Sequence, residues 1–133
     1  MGKIILSHNH RRSITSSLTV VENRLNEIEK ELLYPTAGSI TKTTVDVSNA
    51  EKEKSLQIII LTKRFIKHLA MKYGLSVQST LLSRIISANK SSMWVVLCDT
   101  TSNRLKGYGD FPPELSQEFD EDINNLQSLI NQI

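Results

Sequence analysis

Between Ile14 and Leu32 the chain reads ITSSLTVVENRLNEIEKEL. Its apolar residues are spaced alternately four and three apart: Ile14, Leu18, Val21, Leu25, Ile28 and Leu32. This is the a/d spacing of a helix that packs along one stripe, and polar and charged residues fill most positions between. Pro35 pushes the residue before it out of the helical region, so the pattern predicts a helix over 13–34.

A second helix is predicted after Ser48, because Ser48 and Glu51 have the spacing of a capping box. Its main apolar row is expected to face the core: Ile58, Leu61, Phe65, Leu69 and Tyr73. Further apolar residues widen that row, as is typical of a helix packed against more than one neighbour. Gly74 supplies the left-handed residue that ends the helix. Residues 35–47 have no helical period and predict a long loop.

Residues 76–108 allow two interpretations. Near-heptad spacing from Val77 onward favours a third helix that begins near Ser76 and continues to about Lys106. The alternative is a short β-hairpin over 93–108, because aromatic and β-branched residues follow Met93. A last helix is predicted from Pro113, since proline suits the first helical position.

These elements predict an all-α protein, an antiparallel four-helix bundle that forms a single domain over residues 1–133. With the hairpin, the class would be α+β. Residues 1–12 precede the first stripe and are expected to be a flexible or extended segment. The length of 133 residues is that of one ordinary domain, and 39% apolar with 23% charged residues excludes a disordered chain.

The composition also bounds the compartment and the chemistry. The one cysteine, Cys98, excludes an internal disulfide, and its apolar neighbours predict a buried thiol. The longest apolar runs, Ile58–Leu61 and Met93–Cys98, are too short for a membrane span, so we expect a cytoplasmic protein. His8 and His10 alone make a poor metal site, and the residues suggest no nucleotide loop or catalytic triad. We therefore expect no metal, no other cofactor and no enzymatic activity.

Positive charge is concentrated in the first part of the chain. Residues 1–108 hold all 16 Lys and Arg residues and eight of the 14 acids, whereas residues 109–133 hold six acids and no base. On the second helix, a basic side is predicted from Lys63, Arg64, Lys67, His68 and Lys72. Such a side is a candidate surface for an anionic partner, nucleic acid included, although the total charge of +2 does not by itself indicate non-specific nucleic-acid binding.

Around His68 the second helix reads FIKHLAMKYG, residues 65–74. This stretch is similar to the histidine-phosphotransfer domain, a small cytosolic four-helix bundle with an exposed histidine on one helix. The resemblance implies that His68 carries the phosphoryl group and that Lys72, one turn further on, places a cation beside it. In that family the lysine typically follows the histidine by three residues, whereas Met71 holds that place here.

The function predicted from these features is binding, to a protein partner or to a second copy of the chain. The successive apolar residues Ile58–Leu61 cover more than one side of a helix, and exposed aliphatic patches usually mark interfaces. We therefore expect a homodimer to which the second helix contributes. Trp94 is expected in the core, or as an interface anchor if it points outward. The alternatives are phosphotransfer through His68 and nucleic-acid binding through the basic side of the second helix.

Overall fold

The computed structural model describes residues 4–133. Five helices account for most of them: α1 (His8–Leu33), α2 (Asn49–Lys72), α3 (Leu82–Cys98), α4 (Ser102–Leu105) and α5 (Pro113–Asn131), with a 3₁₀ turn over Lys106–Tyr108. Within this described part of the chain, the only β-type pairing is an isolated bridge between Ala37 and Lys42. The all-α prediction is confirmed, and the alternative hairpin over 93–108 is wrong because residues 93–98 continue α3.

Contacts within the chain group these helices into two compact units, Met1–Val77 and Gln78–Ile133. The first unit is built on the pairing of α1 with α2, and the second on the pairing of α3 and α4 with α5. The antiparallel four-helix bundle and the single domain over residues 1–133 therefore stay predictions.

The first helix is longer than its apolar stripe indicates. α1 begins at His8, because the Ser7 hydroxyl accepts a hydrogen bond from the His10 N–H at 3.1 Å and caps the helix ahead of the stripe. Residues 8–12 are thus helical rather than extended, and residues 1–3 of the predicted flexible segment lie outside the described residues. The helix ends at Leu33, as Pro35 predicts.

Both ends of α2 agree with the sequence. The Ser48 hydroxyl accepts a hydrogen bond from the Glu51 N–H at 3.1 Å, as the capping box requires. At the other end Gly74 has a φ of +64°, and the Leu75 N–H donates to the Ala70 carbonyl at 2.8 Å. This backbone arrangement satisfies a carbonyl of the last turn and leads the chain out of the helix.

The buried side of α2 is not the side that the sequence indicates. Ile59 and Ile66, one heptad apart, are the buried residues of this helix. Ile58, Leu61 and Phe65, which were predicted to face the core, are exposed. Apolar residues cover so much of the circumference of α2 that spacing alone does not determine which side packs against α1.

The predicted stripe of α1 is divided in the same way. Ile14, Leu18, Leu25 and Leu32 are half-buried, whereas Val21 and Ile28 are exposed. No residue of α1 is fully buried. The stripe therefore reaches beyond the contact with α2 and continues onto open surface.

The loop between α1 and α2 is fastened to the end of α1 by Glu31. The Glu31 carboxylate accepts hydrogen bonds from the Thr36 and Thr43 hydroxyls, and from the Thr36 N–H at 3.2 Å. Because these bonds favour the charged form, they lower the pKa of the Glu31 carboxyl to about 2. Ile40 at the tip of the loop is fully exposed, so it does not touch the core as its apolar character suggests.

α3 differs from the prediction at both ends. It begins at Leu82, because the stretch Ser76-Val77-Gln78-Ser79-Thr80 is rich in hydroxyl and β-branched residues of low helix propensity. It ends at Cys98 instead of continuing to about Lys106. The helix is interrupted at residues 99–101. The Thr101 hydroxyl then caps the short α4 by accepting a hydrogen bond from the Arg104 N–H at 3.3 Å.

Polar side chains link the helices of the second unit at several places. Asp120 of α5 accepts from the Ser102 N–H at 2.8 Å and from the Ser102 hydroxyl at 2.7 Å, and these bonds lower the pKa of the Asp120 carboxyl. Gln127 Nε2 donates to the Cys98 Sγ at 3.7 Å. Cys98 is nevertheless exposed, contrary to the prediction, because it is the last residue of α3. The buried apolar residue of this unit is Ile130.

Candidate functional site

One side of the α1–α2 pair presents an apolar surface to solvent. Five residues, each between 43% and 61% exposed, form what we call the apolar face: Val21, Ile28, Ile58, Leu61 and Phe65. Ile28 and Ile58 line one groove of about 500 Å³ between the two helices, with Leu32 and Val47 beside them. Ile28 of α1 and Ile58 of α2 therefore lie on the same side of the pair.

The other side of the contact between α1 and α2 is polar. The Lys63 ammonium of α2 donates to Glu29 of α1 at 3.2 Å, and both side chains are about two-thirds buried. Ile60 is also exposed, but it lies two residues from Ile58 and so roughly 200° around the helix. The pair is thus two-sided, and Ile60 is an exposed isoleucine outside the apolar face.

The basic residues singled out in the sequence do not act as one group. Lys63 is engaged with Glu29, while Arg64, Lys67, His68 and Lys72 are exposed. Because residues three and four apart are neighbours on a helix, His68 and Lys72 follow Phe65 along the same row. Lys67 lies on a different side of α2.

His68 and Lys72 each contact an aromatic ring. The imidazole of His68 stacks on the ring of Phe65, with 5.9 Å between the centroids and 29° between the planes. The Lys72 Nζ lies 5.3 Å from the centroid of the Tyr73 ring. The geometry therefore attaches His68 to the end of the apolar face and directs the Lys72 cation to Tyr73.

A single exposed row results along α2, which we call the α2 row: Ile58, Leu61, Phe65, His68 and Lys72. Its spacings are 3, 4, 3 and 4, those of a seam between two packed helices. The first three residues are apolar and the last two are basic. Sequence spacing contained this row, but as two separate features, an apolar core stripe and a basic side.

In the second unit, α5 carries a comparable exposed row, which we call the α5 row: Leu115, Glu118, Asp122, Leu126 and Leu129. Its spacings are 3, 4, 4 and 3. The structure buries Ile130 and half-buries Phe119 and Ile123, and it leaves Leu115 and Leu126 exposed. In the α5 row Leu115 comes first, two acids follow, and leucines occupy the C-terminal end.

Trp94 belongs to this second unit. Its side chain is 38% exposed and lines a groove of about 410 Å³ together with Lys90, Val95 and Asn131. Lys90 is held there because its ammonium donates to the carbonyls of Asn131 and Ile133 at 3.2 and 3.1 Å. Other residues of the second unit thus cover part of the Trp94 side chain. It is neither buried, as a core residue would be, nor fully exposed, as a free interface anchor would be.

Two further properties concern residues 4–133. No three His, Cys, Asp or Glu side chains in this part of the chain lie close enough to hold a metal ion together. None of the helices described there combines the length and the hydropathy needed to cross a membrane.

No protein-family model matches the chain, and neither a curated protein nor a solved structure is similar to it. The exposed surfaces of the two units are therefore the features that indicate a function.

Proposed function

We propose that this protein acts without catalysis, by protein–protein association through the apolar face of the α1–α2 pair, and that it associates with a second copy of itself. The observation that carries the proposal is the exposure of the five apolar residues of the face, of which Ile28 and Ile58 line one groove between the helices. Exposed patches of this kind, bordered by polar residues, mark protein interaction surfaces.

The size of the apolar face limits the binding free energy that the face alone can supply. Burial of the exposed half of each aliphatic or aromatic side chain contributes roughly 1 kcal/mol, so five residues contribute roughly 5 kcal/mol. Association costs about 4–15 kcal/mol in lost translational and rotational freedom. The five residues alone are therefore insufficient, and a stable complex needs contacts beyond them, which the remainder of the α2 row can supply.

The other two functions have less support. Phosphotransfer needs an accessible imidazole with a cation nearby; His68 is exposed, but its ring stacks on Phe65 and the Lys72 cation lies over Tyr73. Nucleic-acid binding needs a positive surface that tracks phosphates, whereas Lys63 is ion-paired and the rest of the basic group is spread around α2.

The test is sedimentation equilibrium of the full chain at micromolar concentration, with reductant because Cys98 is exposed. Wild type is compared with Leu61→Glu and with Ile60→Glu. Leu61 and Ile60 are neighbours of similar exposure, 56% and 47%, but only Leu61 is in the apolar face. We expect wild type above the 15.0 kDa of one chain, and Leu61→Glu to weaken association at least tenfold because a charge is desolvated.

Ile60→Glu should leave association unchanged, which controls for the added charge. Circular dichroism of each variant checks that the helices are retained. A wild-type mass of one chain at all concentrations would contradict the proposed self-association. Equal loss in both variants would remove the apolar face from it.

A further inference from the structure

The α2 row and the α5 row have complementary order along their helices. The α2 row runs from apolar residues, Ile58 and Leu61, to basic ones, His68 and Lys72. After Leu115, the α5 row runs the opposite way, from the acids Glu118 and Asp122 to the leucines Leu126 and Leu129. Each row spans 15 residues of helix, about 21 Å from its first residue to its last.

Antiparallel pairing of the two rows matches four positions of each row by chemistry. It places Leu61 opposite Leu129 and Phe65 beside Leu126, and it leaves Ile58 and Leu115 outside the paired stretch. The same alignment places His68 opposite Asp122 and Lys72 opposite Glu118. Charged residues at seam positions of packed helices fix register and direction, because a shift leaves a charge against an apolar side chain.

End-to-end pairing of either row with itself is unfavourable. An antiparallel pair of α2 rows sets Ile58 against Lys72, and a parallel pair sets basic residues against basic ones. An antiparallel pair of α5 rows brings Asp122 of one against Asp122 of the other. Like charges in close contact disfavour the wrong partner, so self-pairing is opposed by the same residues that favour the mixed pairing.

The net charges of the two units also favour the mixed pairing. Residues 1–77 carry 12 Lys and Arg residues against seven acids, whereas residues 78–133 carry four against seven. First units of two copies therefore repel each other, while the first unit of one copy attracts the second unit of another.

We propose that the α2 row of one copy binds the α5 row of a second copy, antiparallel, with His68 and Lys72 against Asp122 and Glu118. This inference rests on the proposed function and names the partner of the same face. Both rows are exposed, as such an association requires. Of the basic side predicted from the sequence, His68 and Lys72 then take part in the pairing.

The test reverses the charge of one row in each of two variants. One variant, His68→Glu/Lys72→Glu, makes the α2 row acidic, and the other, Glu118→Lys/Asp122→Lys, makes the α5 row basic. Each alone should weaken self-association at least tenfold, because like charges then oppose each other. An equimolar mixture should recover association to within about threefold of wild type, since each altered row then meets its complement in the other chain.

Matched controls change the same charges outside the rows: Lys67→Glu on α2 and Glu121→Lys on α5. Both residues are exposed, and both variants should associate within about twofold of wild type. Sedimentation equilibrium gives the association constants, and circular dichroism checks the fold of each variant.

The outcomes separate this inference from the proposed function. If Leu61→Glu weakens association but the basic α5 variant associates like wild type, the apolar face stands and its partner is not the α5 row. If both charge variants are weakened and only a chain that carries all four substitutions recovers, the rows pair within one chain, which overturns the second copy as partner. Wild type of one-chain mass, indifferent to Leu61→Glu, overturns both.

Discussion

The two units are stabilised in different ways. The α1–α2 unit has a short apolar core in Ile59 and Ile66, and Lys63 bonds to Glu29 beside it. The α3–α5 unit buries Ile130 and brings the Phe111 and Phe119 ring centroids within 5.2 Å, and it adds polar contacts from Asp120 to Ser102 and from Lys90 to two backbone carbonyls.

This difference predicts which change destabilises each unit. Removal of methyl groups should weaken the α1–α2 unit most, because apolar burial holds it. Protonation should weaken the contacts of α4, because a carboxylate there accepts two hydrogen bonds from Ser102. In both units the stable contacts use one side of each helix and leave an exposed row beside it.

The largest expected effect is in the apolar core. Ile59→Ala should lower the free energy of unfolding by about 2–4 kcal/mol, because Ile59 is 4% exposed and its truncation leaves a cavity. The matched control is Ile60→Ala, which should cost no more than about 0.5 kcal/mol. Urea unfolding followed by circular dichroism measures both.

The single tryptophan makes the comparison between units sharper. Trp94 lies in α3, so its fluorescence reports the second unit. Since the contacts divide into two units, Ile59→Ala should shift the transition seen by circular dichroism and leave the fluorescence midpoint in place. Equal shifts in both signals would contradict the division in stability.

The next effect is the pH dependence of the two carboxylate anchors. The folded-state pKa of Glu31 is lowered from 4.5 to about 2, so its stabilising contribution is complete above about pH 4.5 and is lost as the pH falls toward 2. The pKa of Asp120 is also lowered, so its contribution decreases below about pH 3.8. Acid should therefore weaken both the fastening of the α1–α2 loop and the contact of α4 with α5.

The measurement compares wild type with Glu31→Gln and Asp120→Asn across pH 2–7. The stability difference between wild type and Glu31→Gln should be constant above about pH 4.5 and vanish near pH 2. For Asp120→Asn the difference should shrink only at lower pH, with Trp94 fluorescence as the signal. A difference that persists unchanged at pH 2 would argue against the Thr36 and Thr43 hydrogen bonds as its cause.

The smallest expected effect is that of the ion pair. Lys63→Met keeps most of the side-chain stem and should cost about 0.2–1 kcal/mol, because partly exposed pairs contribute little. Lys67→Met is the control and should cost less. A double-mutant cycle with Glu29→Gln isolates the pair, and a coupling energy of zero would assign the contact between α1 and α2 to apolar packing alone.

Local signals in the sequence predicted the ends of elements well. Ser48 with Glu51, Gly74 and Pro113 each act through the backbone within a few residues, and each is found at the predicted place. The Ser7 cap was missed because it precedes the apolar stripe. The break at residues 99–101 was missed because near-heptad spacing continues through it.

The choice of side on each helix could not be predicted. Ile58, Ile59, Ile60 and Leu61 are successive and equally apolar, so only the fit against α1 decides that Ile59 is buried. On α5 the same ambiguity applies to Leu126, which is exposed, and Ile130, which is buried. His68 and Lys72 were found as basic residues, but their place after Phe65 on the row became apparent only from the exposed side of α2.

The pairing of helices that are neighbours in the chain has a consequence for synthesis. α1 and α2 need only each other, so they can pair as soon as Lys72 has left the ribosome, in a time far shorter than translation takes. The start of α5 is made about 40 residues later, roughly 2–8 s at ordinary elongation rates. During that interval the nascent chain displays Ile58, Leu61 and Phe65 with no α5 of its own yet made. Under the proposed pairing, a completed copy, or a neighbouring nascent chain further along the same message, is the first source of the complementary α5 row, and assembly begins during translation.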